Sequence, residues 1–141
     1  MRKLKVSSVF ITAISIILIV FACNKKSNYS IKHTKNLEIL KKEPKFQASA
    51  FYPGLEKRHD KKVLSDLLND SIDDFIEGTK DNFNEAEYKE LLKESLQRFE
   101  TFNLDTEDRE YVSGYFEKIM DAVELKSSGG VLNNGVYNRN F

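Results

Sequence analysis

The 141-residue sequence is poor in the residues that build disulfides, zinc sites and phosphate-binding loops. Its one cysteine, Cys23, allows no internal disulfide, so a folded domain must be stabilised by packing alone. The two histidines, His33 and His59, form no pair at helical spacing, which argues against a zinc site. No Lys-Ser or Lys-Thr pair follows Gly129 and Gly130, so these glycines do not match a phosphate-cradling loop.

The charge balance argues against nucleic acid as a partner. The whole chain has 22 Lys and Arg and 22 Asp and Glu. Residues 1–22 contain three of the basic residues and none of the acidic ones, so the remainder has 19 basic and 22 acidic residues. Nucleic-acid binding depends mainly on neutralising phosphates with basic side chains, and we therefore exclude that class of partner.

The amino terminus has the pattern of a secretion signal. Three basic residues come first, an apolar run follows, and a cysteine ends it: Arg2, Lys3 and Lys5, then Val6–Ala22, then Cys23. The last four residues, Val20-Phe21-Ala22-Cys23, resemble the box that ends bacterial lipoprotein signals. Two positions depart from that family, because Leu is commoner than Val20 and a small residue is commoner than Phe21.

The resemblance implies that residues 1–22 are cleaved and that Cys23 carries a diacylglyceryl group and often a further acyl chain such as palmitate. The membrane is then a partner through the anchor, and the protein lies in the cell envelope outside the cytoplasm. An Asp after the cysteine is similar to an inner-membrane retention signal, so Asn24 favours the outer membrane. Two alternatives stay open: a cleaved, soluble protein, or an uncleaved membrane helix of about 17 residues, the lower limit for a bilayer span.

Residues 23–30 are polar and lack hydrophobic periodicity, which predicts a short tether. Lys25 and Lys26 lie beside the anchor, where they either contact anionic headgroups or are solvated. A sparse apolar pattern over Ile31–Lys42 predicts a weaker leading helix, which must stop before Pro44.

Three later segments predict strong amphipathic helices, because apolar residues recur at three- and four-residue steps. The first contains Val63–Ile76 and ends near Gly78. Asn84 is a predicted N-cap of the second, with Glu87 completing a capping box. The third begins in Asp105–Glu110 and ends at Ser127-Ser128-Gly129-Gly130.

The last segment, Val131–Tyr137, has apolar pairs around Asn134-Gly135, a composition typical of a hairpin turn. A lone hairpin is marginal in water, so we predict an extended tail that packs on the helices, with a turn at Asn134-Gly135. The whole pattern predicts an all-α bundle of three strong helices plus a weaker N-terminal helix, in a single domain over residues 31–141.

The acidic run Asp105–Glu110 is the one cluster with the composition of a metal site. It does not fit a calcium loop, since a loop starting at Asp105 would have Arg109 and Phe116 at its fifth and twelfth positions. Carboxylates at a helix start are favoured by the exposed amide hydrogens, and capping is the simpler interpretation. We predict no metal, no cofactor and no catalytic residue.

Two segments could form a binding surface for an envelope protein or a small ligand: Phe51, Tyr52, Pro53, Gly54 and Leu55, and the tail residues Tyr137, Arg139 and Phe141. Pro53-Gly54 is typical of a type II turn and places apolar area on a loop. The alternative is that both segments plug the open ends of the bundle.

Four features together resemble a family of small, uncharacterised bacterial proteins: the turn Tyr52–Leu55, the run Asp105–Glu110, the stripe Tyr115–Met120 and the pair Leu132-Asn133. The resemblance implies a helical domain and no activity. The sequence thus predicts a lipid-anchored envelope protein that acts by binding. Two alternatives are an inhibitor or immunity-type protein, and a hydrolase using Asp105, Glu107, Asp108 and Glu110.

Overall fold

The structure, a computed structural model, describes residues 29–55 and 57–137, without the side chains of residues 58, 59 and 135–137. It contains five helices: α1 over residues 29–42, α2 Arg58–Lys80, α3 Glu85–Gln97, α4 Thr106–Ala122 and α5 Val131–Tyr137. The part of the chain that is described contains no strand, which confirms the predicted all-α class. None of its helices combines the length and hydrophobicity needed to cross a bilayer.

The core lies where the predicted apolar stripes of α2, α3 and α4 meet. Its fully buried side chains include Phe75 of α2, Leu92 of α3 and Phe116 of α4. Aromatic pairs join the helices, with Phe99 edge-on to Phe116 at a centroid distance of 6.0 Å. Burying a large apolar side chain contributes about 1.5 to 3 kcal/mol, so this core is consistent with a domain that needs no disulfide.

The starts of α3 and α4 are capped as the sequence predicts. The Asn84 side chain accepts from the backbone N–H groups of Ala86 and Glu87, and the Glu87 carboxylate accepts from the Asn84 N–H at 2.7 Å. Asp105 accepts from the Asp108 N–H at 2.9 Å at the start of α4. Each cap satisfies amide hydrogens that have no partner inside the helix.

The end of α2 is a Schellman motif, which brings α3 back against α2. Asn82 takes a φ of 59°, and the Phe83 N–H donates to the Gly78 carbonyl at 2.9 Å. A Cβ on Gly78 would lie 2.9 Å from the Phe83 ring, so glycine is needed for this close approach. The helix therefore continues to Lys80, slightly beyond the predicted end near Gly78.

Helix α1 ends before Pro44, and its carboxyl end is capped by a lysine. Lys45 is only 4% exposed, and its ammonium donates to the carbonyls of Leu40, Lys41 and Glu43 at 3.2, 3.0 and 3.1 Å. Burial lowers the pKa of Lys45. Three acceptors match the three donors of an ammonium group, so a poorly patterned helix gains a fixed end.

Polar contacts join α1 to the other helices. The Tyr115 hydroxyl donates to the Leu40 carbonyl at 2.6 Å, and Lys41 pairs with Asp73 of α2 at 2.6 Å. At the other end, the Ser30 hydroxyl donates to the Thr79 carbonyl at 3.1 Å. Residues 29 and 30 belong to α1, whereas the sequence analysis placed them in the tether.

The predicted extended tail is wrong, because residues 131–137 form α5. Gly129 and Gly130 have φ values of 66° and 91° and reverse the chain after α4. The Asn134 N–H then donates to the Gly130 carbonyl at 3.1 Å, and Leu132 is buried at 7% exposure. Helix α5 packs on α4 and α3, so tertiary packing outweighs the local turn signal of Asn134-Gly135.

Replacing Lys45 with Met should destabilise the domain, because the carbonyls at the end of α1 lose their donor while the apolar stem remains. We expect the free energy of unfolding to fall by about 1.5 to 3 kcal/mol in urea denaturation. Lys42→Met, a matched change at an exposed position of α1, should change it by less than about 0.5 kcal/mol. Equal effects of the two substitutions would contradict the capping role.

Candidate functional site

Four helix ends meet at one end of the bundle and line an open cavity of about 240 Å³, which we call the end cavity. The start of α1, the turn between α2 and α3, the first turn of α3 and the segment after α4 line it. Both polar and aromatic side chains contribute: Tyr29, His33, Thr79, Phe83, Tyr88 and Glu124. Pockets for drug-sized ligands commonly run from about 300 to 1,000 Å³, so this smaller cavity has room only for a ligand below that size.

Among the residues that line the end cavity, His33 has a buried side-chain nitrogen without a hydrogen-bond partner. Its Nε2 has no hydrogen bond to any residue that the structure describes, and its side chain is 14% exposed. The nearest charged group is the Glu124 carboxylate, 4.0 Å away. Burial lowers the pKa of His33, an effect that Glu124 partly opposes. His33 is therefore neutral near pH 7, and its buried Nε2 has no hydrogen-bond partner among the described residues.

Glu124 is held in a backbone conformation that a glutamate rarely adopts. It follows α4 with a φ of 58°, in a Schellman motif closed by the Leu125 N–H donating to the Met120 carbonyl at 2.9 Å. Glycine is the usual residue there, and a negative charge at a helix carboxyl end is also unfavourable. Lys32 offsets part of this through an ion pair of 2.6 Å. Locally disfavoured residues of this kind cluster at functional sites.

The wall opposite His33 is fixed by a buried hydrogen-bond chain. Thr79 donates its only hydroxyl hydrogen to the Phe75 carbonyl at 2.9 Å, so the Tyr88 hydroxyl, 3.0 Å from the Thr79 oxygen, must be the donor in that pair. Burial raises the pKa of Tyr88. Phe75 and Phe83 hold the Tyr88 ring at centroid distances of 5.7 and 5.8 Å. The cavity is therefore largely preformed.

A second depression, of about 490 Å³, adjoins the end cavity between the end of α4 and α5. Its lining includes Asp121, Ser127 and Asn133. None of its lining residues has a buried side-chain polar atom without a partner among the described residues. The end cavity is the stronger candidate for that reason.

The predicted aromatic turn is divided between the core and the surface. Tyr52 is 6% exposed, stacks on Tyr111 at a centroid distance of 4.5 Å and donates its hydroxyl to Asp108 at 2.5 Å. Burial, reinforced by that hydrogen bond, raises the pKa of Tyr52. Phe51, in contrast, is 99% exposed.

The other turn residues hold the loop in place. Pro53 is exposed, whereas Leu55 is half-buried and packs against the core. Gly54 has a φ of 83°, as the second central residue of a type II turn requires. A Cβ there would lie 2.8 Å from the Ala48 nitrogen, so Gly54 is needed for close approach as well as for its φ.

The acidic run has structural partners for two of its four carboxylates. Asp105 caps α4, and Asp108 accepts the Tyr52 hydrogen bond. Glu107 and Glu110 are exposed. Across the described residues, no three or more His, Cys, Asp or Glu side chains are grouped so that they could hold a metal ion.

Of the predicted binding surface, the structure describes the turn residues, and the tail side chains lie outside the described part of the chain. Tyr137 is the last residue of α5, with a side chain that is not described, and Arg139, Phe141 and Cys23 lie outside the described residues. Sequence reasoning missed the end cavity, since His33 and Glu124 are 91 positions apart with no motif around either.

Comparison with known proteins identifies a family but no activity. The family described as "Domain of unknown function (DUF4844)" matches residues 26–140, and the chain belongs to it. A similar solved structure is that of a DUF3571 family protein from Acinetobacter baumannii AYE, 30% identical to this chain. The match covers 79% of this chain and 94% of that one, with a TM-score of 0.74. No relative was found among curated proteins.

Replacing His33 with Gln should reduce the dependence of stability on pH. Since the pKa of His33 is lowered by folding, the unfolded chain binds a proton more readily, and stability is lost as pH falls below about 6.5. Urea denaturation of both proteins at several pH values between about 7.5 and 5 measures this. The stability advantage of the wild type over the variant should shrink on acidification, and a constant difference would contradict the burial of a neutral His33.

Proposed function

We propose that this DUF4844 protein is anchored by a lipid on Cys23 outside the cytoplasm and that its helical domain binds a small ligand in the end cavity. The observation that carries the binding role is the buried, unpartnered His33 Nε2 in a cavity whose opposite wall is fixed. The anchoring role rests on the signal-like segment that ends at Cys23.

The position of the family domain supports the anchor. The match begins at residue 26, three residues after Cys23, so the apolar run lies outside the domain. A segment that precedes the domain and ends in a cysteine is what a cleaved lipoprotein signal requires. Two or three acyl chains on one residue hold far more firmly than the single chain that gives only marginal binding.

The chemistry of the end cavity indicates the class of ligand. Tyr29, Phe83 and Tyr88 supply aromatic surface, whereas His33 and Glu124 supply a ring nitrogen and a carboxylate. Small-molecule sites commonly combine an apolar lining with a few fixed polar groups. The ligand is therefore expected to have an apolar body and one hydrogen-bonding or cationic group.

Cys23→Ser should abolish anchoring and leave the fold intact, because serine cannot form the thioether that carries the diacylglyceryl group. We expect the wild-type protein to incorporate radiolabelled palmitate, to sediment with membranes and to begin at a modified Cys23 in mass spectrometry. The variant should do none of these. A wild-type protein with residue 1 retained and no palmitate would contradict the anchor without bearing on the cavity.

Glu124→Gly should weaken ligand binding without lowering the stability of the domain. Glycine adopts a positive φ without steric penalty, so the melting temperature should be unchanged or rise by a few degrees, while ligand affinity falls at least about fivefold. Saturation-transfer NMR with a library of single-ring fragments, each with one hydrogen-bonding group, measures binding. Glu94→Gln, at an exposed position of α3, is the control and should bind as the wild type does.

Two outcomes would contradict the binding proposal. If no fragment binds the wild type, or if Glu124→Gly and His33→Gln both bind fragments as well as the wild type does, the end cavity is not the ligand site. If Glu124→Gly both unfolds the domain and abolishes binding, Glu124 has a structural role. Fragment binding by His33→Gln then decides whether the end cavity is the ligand site.

A further inference from the structure

We propose that the outer face of α1 lies on an anionic lipid surface and orients the domain on the membrane. We call the exposed residues Ile31, Lys35, Ile39 and Lys42 the α1 face. The inference rests on the proposed lipid anchor at Cys23, and it adds a second, non-covalent contact with the same membrane.

The spacing of these residues places them on one side of α1. Steps of four, four and three residues form a single stripe on a helix. Ile31 is 64% exposed and Ile39 is 54% exposed, whereas Leu37, on the opposite side, is fully buried. Two large apolar side chains are therefore left in solvent on the helix that follows the anchor.

The charges of the α1 face complement anionic headgroups. Lys35 and Lys42 are exposed and make no ion pair with any residue that the structure describes. Glu38, the one acidic residue of α1, is exposed on the same stripe, three residues after Lys35 and four before Lys42. Lys32 extends the basic edge although it also pairs with Glu124, so basic residues still outnumber acidic ones on this side of α1. Basic side chains are attracted to an anionic membrane surface, and the isoleucines between them add apolar contact.

The length of chain between anchor and helix permits this contact. Five residues lie between Cys23 and Tyr29, so six Cα–Cα steps join them and span at most about 21 Å when fully extended. Helix α1, over residues 29–42, is about 21 Å long. The lipid therefore keeps the whole α1 face within reach of the headgroups, and a weak contact suffices because it is intramolecular with the anchor.

A second copy of this chain is a poorer occupant. Pairing two α1 faces would bring together Lys35 and Lys42 of both copies with only one Glu38 from each, and an excess of like charges across an interface is unfavourable. An anionic bilayer has no such penalty, which favours lipid over self-association.

Depth-dependent quenching in vesicles tests the proposal with the full lipidated chain. Cys23 is the only native cysteine and its thiol would carry the lipid, so a dye can be placed on Ile39→Cys or, as control, on Glu94→Cys of α3. The vesicles contain nitroxide-labelled lipid with either phosphatidylglycerol or phosphatidylcholine. We expect at least about twofold stronger quenching at position 39 than at position 94 in phosphatidylglycerol vesicles, and a smaller contrast in phosphatidylcholine.

Lys35→Gln with Lys42→Gln should remove most of that contrast, and so should about 0.5 M salt, because both weaken attraction to headgroups. Equal quenching at both positions, in a protein that still floats with vesicles, would overturn the inference and leave the anchor standing. Crosslinking of position 39 to a second copy would also overturn it. A chain that carries no lipid and does not float would contradict the proposed anchor first, and the inference with it.

Discussion

Unsatisfied backbone carbonyls at helix ends are the constraint that shapes this domain. The last turn of a helix leaves four carbonyls without partners inside the helix, and here three ends are closed in two ways. A buried ammonium, Lys45, closes α1, whereas Schellman motifs with Asn82 and Glu124 close α2 and α4. Each solution reverses or redirects the chain within a few residues, and the short connections that result place the apolar stripes against one another.

The end cavity is a consequence of two of these helix ends. The Schellman turns after α2 and α4 project Asn82 and Glu124 beside the start of α1, and the space left between them is not filled by any large apolar side chain. His33 enters that space from α1. A domain that needed only stability would place glycine at position 124, since glutamate there opposes both the backbone geometry and the helix dipole. The carboxylate at this position is a second reason, beside the unpartnered His33 Nε2, to interpret the cavity as a site.

The sequence predicts the regular parts of the fold better than the site, for physical reasons. The periodicity of α2, α3 and α4 and the caps at Asn84 and Asp105 are local properties, so they could be found without coordinates. The helical tail could not, because α5 depends on packing against α4 and α3. The burial of Tyr52 depends equally on a distant partner, Asp108, and the placing of His33 near Glu124 depends on how α1 docks.

Helix α1 is the element through which anchoring and binding would act on each other. Within residues 29–42 only Leu37 is buried, and much of the contact of α1 with other helices is polar, as in the Lys41 pair with Asp73. Such contacts weaken with salt and hold a helix less firmly than a continuous apolar face. A ligand touching both His33 and Glu124 would join α1 to the segment after α4 and so favour the docked position of α1. A lipid surface would couple to that ligand only through a difference in its own contacts with docked and undocked α1.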